Sequence, residues 1–213
     1  MDPVDACIMS DMVPTGFHAV EQADVQFGDT VLVIGIGPVG LMAVRACALR
    51  GASRIMAVGT RPVCMEVAKA YGADEFISYK DGPIFAQVLE RTNGAGVDRV
   101  CIAGGNVDTF SEAIKCLKPG GRIGNVNYLG SGDYVKIPRV EWGAGMSNKT
   151  ISGGLMPGGR LRMEKLASLV TSGRLDLHKE VTHVFEGMDH VEEALFMMRD
   201  KPRDLIKPVV IWK

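Results

Sequence analysis

No apolar run in this 213-residue chain approaches the ~20 residues needed to span a bilayer. No basic stretch leads into an apolar core at the amino terminus, MDPVDACIMSD, so a secretory signal is not expected either. Neither sign of charge is in excess. The formal net charge of −1 argues against nucleic acid as an electrostatic partner. The five cysteines, Cys7, Cys47, Cys64, Cys101 and Cys116, are odd in number, scattered, and never spaced C-x-x-C. A disulfide framework and a cysteine-only metal site therefore lack support, and the thiols read as reduced, mostly core residues of a cytoplasmic protein. Internal repeats and low-complexity tracts are absent. What remains is an ordinary balance of 46% hydrophobic and 23% charged residues, so a folded chain is expected rather than disorder.

Against these absences one stretch stands out. TVLVIGIGPVGLMAVRACALRG, residues 30–51, reads as a buried strand, a glycine turn at Gly35, Gly37 and Gly40, and an apolar helix. In that order G-x-G-x-x-G is a dinucleotide fingerprint. Gly35 permits the tight turn, Gly37 lets the backbone approach a pyrophosphate, and Gly40 lets the helix lie close to the sheet. The helix amino terminus then faces the phosphates.

The end of the next strand selects the dinucleotide. An NAD site usually carries an Asp or Glu there, accepting from the ribose hydroxyls. Here the strand RIMAVGTRP ends in Gly59, Thr60 and Arg61. A carboxylate would repel a 2′-phosphate and glycine removes it. Thr60 offers a hydroxyl, and Arg61 a guanidinium fork for phosphate oxygens. NADP is the expected cofactor.

Strand and helix patterns alternate along most of the chain. A helical opening region with interruptions at Pro14 and Gly16 precedes the fingerprint. A helix follows from Pro62 to Tyr71, closed by Gly72. Then come the strand EFISY, the helix PIFAQVLERTNG and the buried strand VDRVCIAG. Thr109 and Glu112 read as a capping box for the next helix, which Pro119-Gly120-Gly121 ends before the strand RIGNVNYLG. This spacing predicts a parallel, doubly wound α/β sheet of Rossmann type. Beyond a glycine-rich stretch with a strand at 150–152 lie the amphipathic helix LRMEKLASLVTSG, the strand VTHVFEG, the helix HVEEALFMMRDK and a closing strand, LIKPVVIW.

The segments SDMVPTGFHA, VLVIGIGPVGLMAV, VGTRP, YGADEFISYK, GVDRVCIAGG, LKPGGRIGNVNYLGSGD, IPRVEWG and DKPRDLIKPVV run from end to end of the chain. Together they resemble the medium-chain, zinc-dependent dehydrogenases, and within them the NADP-dependent secondary alcohol dehydrogenases. The resemblance implies three parts. Residues 1–28 would be a linker helix and a remnant of the catalytic domain, 29–153 the NADP-binding Rossmann domain, and 154–213 a return segment belonging to that catalytic domain. The rest of the catalytic domain is missing from the matched pattern.

By the same resemblance Ile36, Gly37, Pro38 and Val39 would lie along the pyrophosphate. Gly59, Thr60 and Arg61 would surround the 2′-phosphate, with Tyr79 on the adenine side. Ala103 and Gly104 would border the nicotinamide ribose, and Val126, Asn127 and Tyr128 the nicotinamide half. Lys201 would reach the cofactor from the carboxyl-terminal segment, and Thr15 would sit near the nicotinamide. Packing in a core or turn is an equal reading for Tyr79, Asn127 and Tyr128. Asp11 matches one of three zinc ligands; a catalytic zinc needs all three and an open position. His18, His178, His183 and His190 have no metal-ligand spacing with a third group. The chain is expected to bind NADP(H) without catalysing oxidation of secondary alcohols or reduction of ketones, with zinc only in the full-length enzyme. A naturally short nucleotide-binding or interaction module is the alternative. The closing strand, left without its sheet, or the edge of the main sheet is expected to promote self-association into a homo-oligomer. A short-chain reductase is excluded, because no Tyr is followed four residues later by Lys on a predicted helix.

Overall fold

Alternating strands and helices wind about one six-stranded parallel sheet in the computed structural model, which describes residues 2–212. Met1 lies outside the described residues. Two helices come first, α1 (Pro3–Met9) and α2 (Met12–Gln22). The sheet is then built from β1 (Thr30–Ile34), β2 (Arg54–Val58), β3 (Glu75–Ile77), β4 (Val97–Ile102), β5 (Leu117–Asn125) and β6 (Thr150–Gly153). Between them run α3 (Pro38–Leu49), α4 (Pro62–Tyr71), α5 (Ile84–Arg91) and α6 (Val107–Cys116). Strand order is β3-β2-β1-β4-β5-β6, so the chain reverses direction across the sheet between β1 and β4. In such sheets the crevice beyond the carboxyl ends at this point takes the ligand.

The apolar runs explain the layers. Successive strand residues point to opposite faces. Val31 and Val33 of β1 enter one core layer, with α2, α3 and α4 over it, while Leu32 and Ile34 enter the other, filled by Ile84, Val88, Phe110 and Ile114. Both faces are covered, so the strands read as continuous apolar segments rather than alternating ones.

Several local expectations change. Pro14 and Gly16 do not interrupt α2. Pro14 falls in its first turn, where an amide has no helical partner to lose. At Gly16 a Cβ would stand 2.5 Å from both the Met42 Cβ and the Val39 carbonyl oxygen, so α2 presses against α3 only because that side chain is absent. The cap of α6 is Asn106, whose Oδ1 accepts from the amides of Asp108 (3.0 Å) and Thr109 (3.4 Å). The Thr109 hydroxyl returns a bond from the Asn106 amide at 3.0 Å. The capping box therefore sits three residues before the Thr109–Glu112 pair. Pro119, Gly120 and Gly121 lie inside β5, where its register with β4 shifts.

After β6 come α7 (Arg160–Thr171), β7 (Val181–Glu186), α8 (Val191–Asp200) and β8 (Lys207–Ile211). The closing strand is not alone: β8 runs parallel to β7 in a separate two-stranded sheet, with Val184 opposite Val209. α7 is less amphipathic than its sequence suggests, burying only Leu166 fully. Leu166, Leu175, Leu177 and Ile206 nevertheless join the core layer of α2, α3 and α4, so the carboxyl-terminal segment is packed onto the main sheet's helices. Among the described residues no helix is long and apolar enough to cross a membrane, and all five cysteines are free thiols.

Candidate functional site

The fingerprint turn leaves β1 through Gly35, whose φ of 89° lies in the left-handed region that favours glycine. A Cβ there would stand 2.7 Å from the Gly104 backbone, because the turns after β1 and β4 touch. A Cβ on Gly40 would stand 1.7 Å from the Gly35 carbonyl oxygen, which fixes how closely α3 starts against the strand. Gly37 is different. A Cβ on it would meet only the Arg61 Nη2, at 3.9 Å, so its outer face opens into the cleft. Pro38 occupies the first helical position, with no amide to satisfy, and the following first-turn amides of α3 are free of helical partners.

A cavity of about 650 Å³ lies over this turn. Its walls include Gly35, Ile36, Gly37, Pro38 and Val39 from the fingerprint, Gly59, Thr60 and Arg61 after β2, Tyr79 after β3, and Ala103 and Gly104 after β4. Lys201, in a left-handed conformation past the end of α8, closes one side. Arg61 caps α4, and its guanidinium donates to the Leu205 carbonyl while its Nη2 faces the Gly37 turn. The Thr60 hydroxyl is 3.2 Å from the phenol oxygen of Tyr79, itself more than half exposed. Two cationic side chains and a row of backbone amides thus face one cleft with no carboxylate in its lining.

The remaining expected residues lie elsewhere. Gly40 is behind the turn, buried against it. The Val126 amide continues the β4–β5 ladder by donating to Ile102 at 3.0 Å. The Asn127 side chain donates to the Gly105 carbonyl at 3.1 Å, bracing the turn after β4 from outside the lining, and Tyr128 is almost fully exposed. Thr15 donates its hydroxyl to Asp11 Oδ1 at 2.9 Å at the start of α2, away from the cleft lining. The lining also holds residues for which no site role was expected: Asn106 and Thr109 of the α6 cap, Cys64 of α4, and Met198, Leu205 and Ile206. Asn106 carried a readable signal, since Asn leads the amino-terminal cap preferences. The last three had none.

A glycine cradle with open amides and facing cations fits a pyrophosphate-bearing dinucleotide. A catalytic zinc does not fit these residues. Asp11 is a lone carboxylate, and among the described residues no three His, Cys, Asp or Glu side chains gather as a metal site. His18 bonds Gln22 at 2.9 Å, His183 lies 3.0 Å from the Thr182 hydroxyl, and His190 stacks on Phe185 beside Glu193. His178 lies 3.5 Å from Asp5.

A family profile described as zinc-binding dehydrogenase matches residues 38–172. The NADP-dependent isopropanol dehydrogenase of Thermoanaerobacter brockii is 59% identical over 210 residues, covering 98% of this chain and 60% of that protein. The enzyme of the same name from Entamoeba histolytica is 60% identical over 208 residues, covering 98% and 57% respectively. The solved alcohol dehydrogenase TADH from Thermus sp. ATN1 superposes with a TM-score of 0.86 at 28% identity, over 100% of this chain and 61% of that one. The chain thus spans about three fifths of the length of the relatives it matches. From its fold, its fingerprint cleft and these matches, the chain belongs to the zinc-binding, medium-chain alcohol dehydrogenase family.

Proposed function

We propose that these residues bind NADP(H) and form the cofactor half of a zinc-dependent secondary alcohol dehydrogenase, which interconverts secondary alcohols and ketones. The observation that carries the reading is the end of β2. Gly59 takes the place of the ribose-binding acid, and Arg61 stands beside the fingerprint turn. The relatives named NADP-dependent isopropanol dehydrogenase support the same cofactor and substrate class. When bound, NADP(H) supplies the hydride acceptor or donor. The chain's own residues bind and orient it: the turn from Gly35 to Val39 along the pyrophosphate, Thr60, Arg61 and Tyr79 at the 2′-phosphate and adenosine, Ala103, Gly104 and Lys201 toward the nicotinamide half. Thr15, Val126, Asn127 and Tyr128 approach that half when a substrate-side domain completes the cleft.

We assign residues 1–28 as the linker helix, 29–153 as the NADP-binding domain and 154–213 as the return segment, in a cytoplasmic protein. Asp11 is one of three zinc ligands. The other two belong to the part of the relatives' length that these residues do not span, so the 213 residues alone bind cofactor without turnover. Two copies associate through the open edge of β6. Titration of the purified chain with NADPH and NADH, followed by nicotinamide fluorescence, tests the reading. NADPH is expected to bind at least about tenfold more tightly, the scale of one charge-assisted contact. Equal affinities would overturn it.

A further inference from the structure

We infer that Ile36, the residue between the first two fingerprint glycines, is a determinant of cofactor selectivity because its side chain fills the space that any side chain at position 59 requires. The inference rests on reading the cleft as the NADP(H) site. A Cβ built on Gly59 stands 2.2 Å from Ile36 Cγ1 and 2.7 Å from Cδ1. No real contact is that short, so residue 59 is glycine for as long as Ile36 holds its position. That position is firmly held. Ile36 is 4% exposed and belongs to the core layer beneath α3 and α4. Branching at Cβ leaves its first torsion few alternatives on that packed side.

The consequence reaches the ribose. Position 59 is where a dinucleotide site that prefers a free 2′-hydroxyl places its accepting carboxylate. Ile36 forbids that carboxylate sterically, one strand away from where it would act. Arg61 then attracts the phosphate, while Ile36 ensures that nothing at position 59 opposes it. Selectivity in this cleft is therefore the joint property of residues 36, 59 and 61, and a charge change at 59 alone meets a packing obstacle first.

Two sets of variants test this. For stability, thermal unfolding is compared for the unaltered chain, Gly59→Ala, Ile36→Ala and the double variant. Gly59→Ala is expected to lower Tm by about 5 °C with Ile36 in place and by much less once Ile36 is alanine. For selectivity, NADPH and NADH affinities are compared for Gly59→Asp with and without Ile36→Ala. Gly59→Asp alone weakens both cofactors. Joined to Ile36→Ala it shifts the ratio toward NADH by about tenfold relative to Ile36→Ala alone. Additive Tm changes, or a full shift in preference from Gly59→Asp with Ile36 intact, would overturn the inference. Equal binding of both cofactors by the unaltered chain would instead overturn the NADP reading, and the Tm cycle would still decide whether Ile36 excludes a side chain at 59.

Discussion

Arg61 donates a hydrogen bond to the backbone carbonyl of Leu205, 144 residues further along the chain. One guanidinium thereby serves two partners. It borders the cleft to which we assign the 2′-phosphate, and it ties the segment before β8 to the end of β2.

Replacing Arg61 is expected to act on both. Arg61→Ala should erase most of the preference for NADPH, at least about tenfold, while leaving NADH affinity nearly unchanged. It should also speed amide exchange around Ile206 and Lys207, since their segment loses its anchor. Hydrogen exchange by mass spectrometry reads the second effect without any cofactor. An unaltered NADPH preference would remove Arg61 from the phosphate site, and unaltered exchange would show that other contacts hold the segment.

Glu180 predicts a pH dependence. It lies in a 3-10 turn before β7, fully buried, and neither carboxyl oxygen has a hydrogen-bond partner. Burial pushes its carboxyl well above the ordinary glutamate range, and the charge of Lys207 only partly offsets this. Below about pH 4.3, the ordinary value, Glu180 is neutral both folded and unfolded. As pH rises the unfolded chain ionises first, so the folded state loses stability until its own raised value is passed. Glu180→Gln should flatten this fall. Between pH 4 and pH 8 its Tm should drop by about 3 °C less than that of the unaltered chain. Parallel Tm profiles for the two proteins would contradict the assignment.

Self-association is the expected outcome at the edge of the main sheet. β6 is bonded to β5 on one side and, among the described residues, has no strand on the other. Tyr134, Val140, Met146 and Leu155, on either side of it in the chain, are all more than three quarters exposed. An open edge beside apolar surface invites pairing with a second copy. Light scattering across a concentration series should give a dimer mass, and a monomer at every concentration would count against the β6 contact.

The readable parts of this protein were those encoded over short distances. The buried strand, the glycine turn and the following helix lie within 22 residues, and Gly35 and Gly40 each have a steric reason to be there. Proline and glycine misled where their meaning depends on a neighbour. Pro14 looks like an interruption until α2 is seen to start at Met12, and Gly16 until α3 is seen against it. The shift of the α6 cap from Thr109 to Asn106 is of the same kind: both residues take part, and only the backbone shows which comes first. The far wall of the cleft was illegible for a deeper reason. Met198, Leu205 and Ile206 are ordinary apolar residues, and nothing local to them encodes a cleft built so much earlier in the chain. The pairing of β8 with β7 is hidden likewise, since parallel register depends on the fold between the strands.

That far wall sets a timetable for the protein's birth. Synthesis at roughly 5–20 residues per second separates the emergence of Arg61 from that of Leu205 by about 7–30 s. Throughout that interval the cleft lacks this wall and is open along one side. Closure of that side thus waits until the segment around Leu205 has been made. Until then the apolar side chains that Leu175, Leu177 and Ile206 will cover stay exposed to whatever chaperone attends the ribosome.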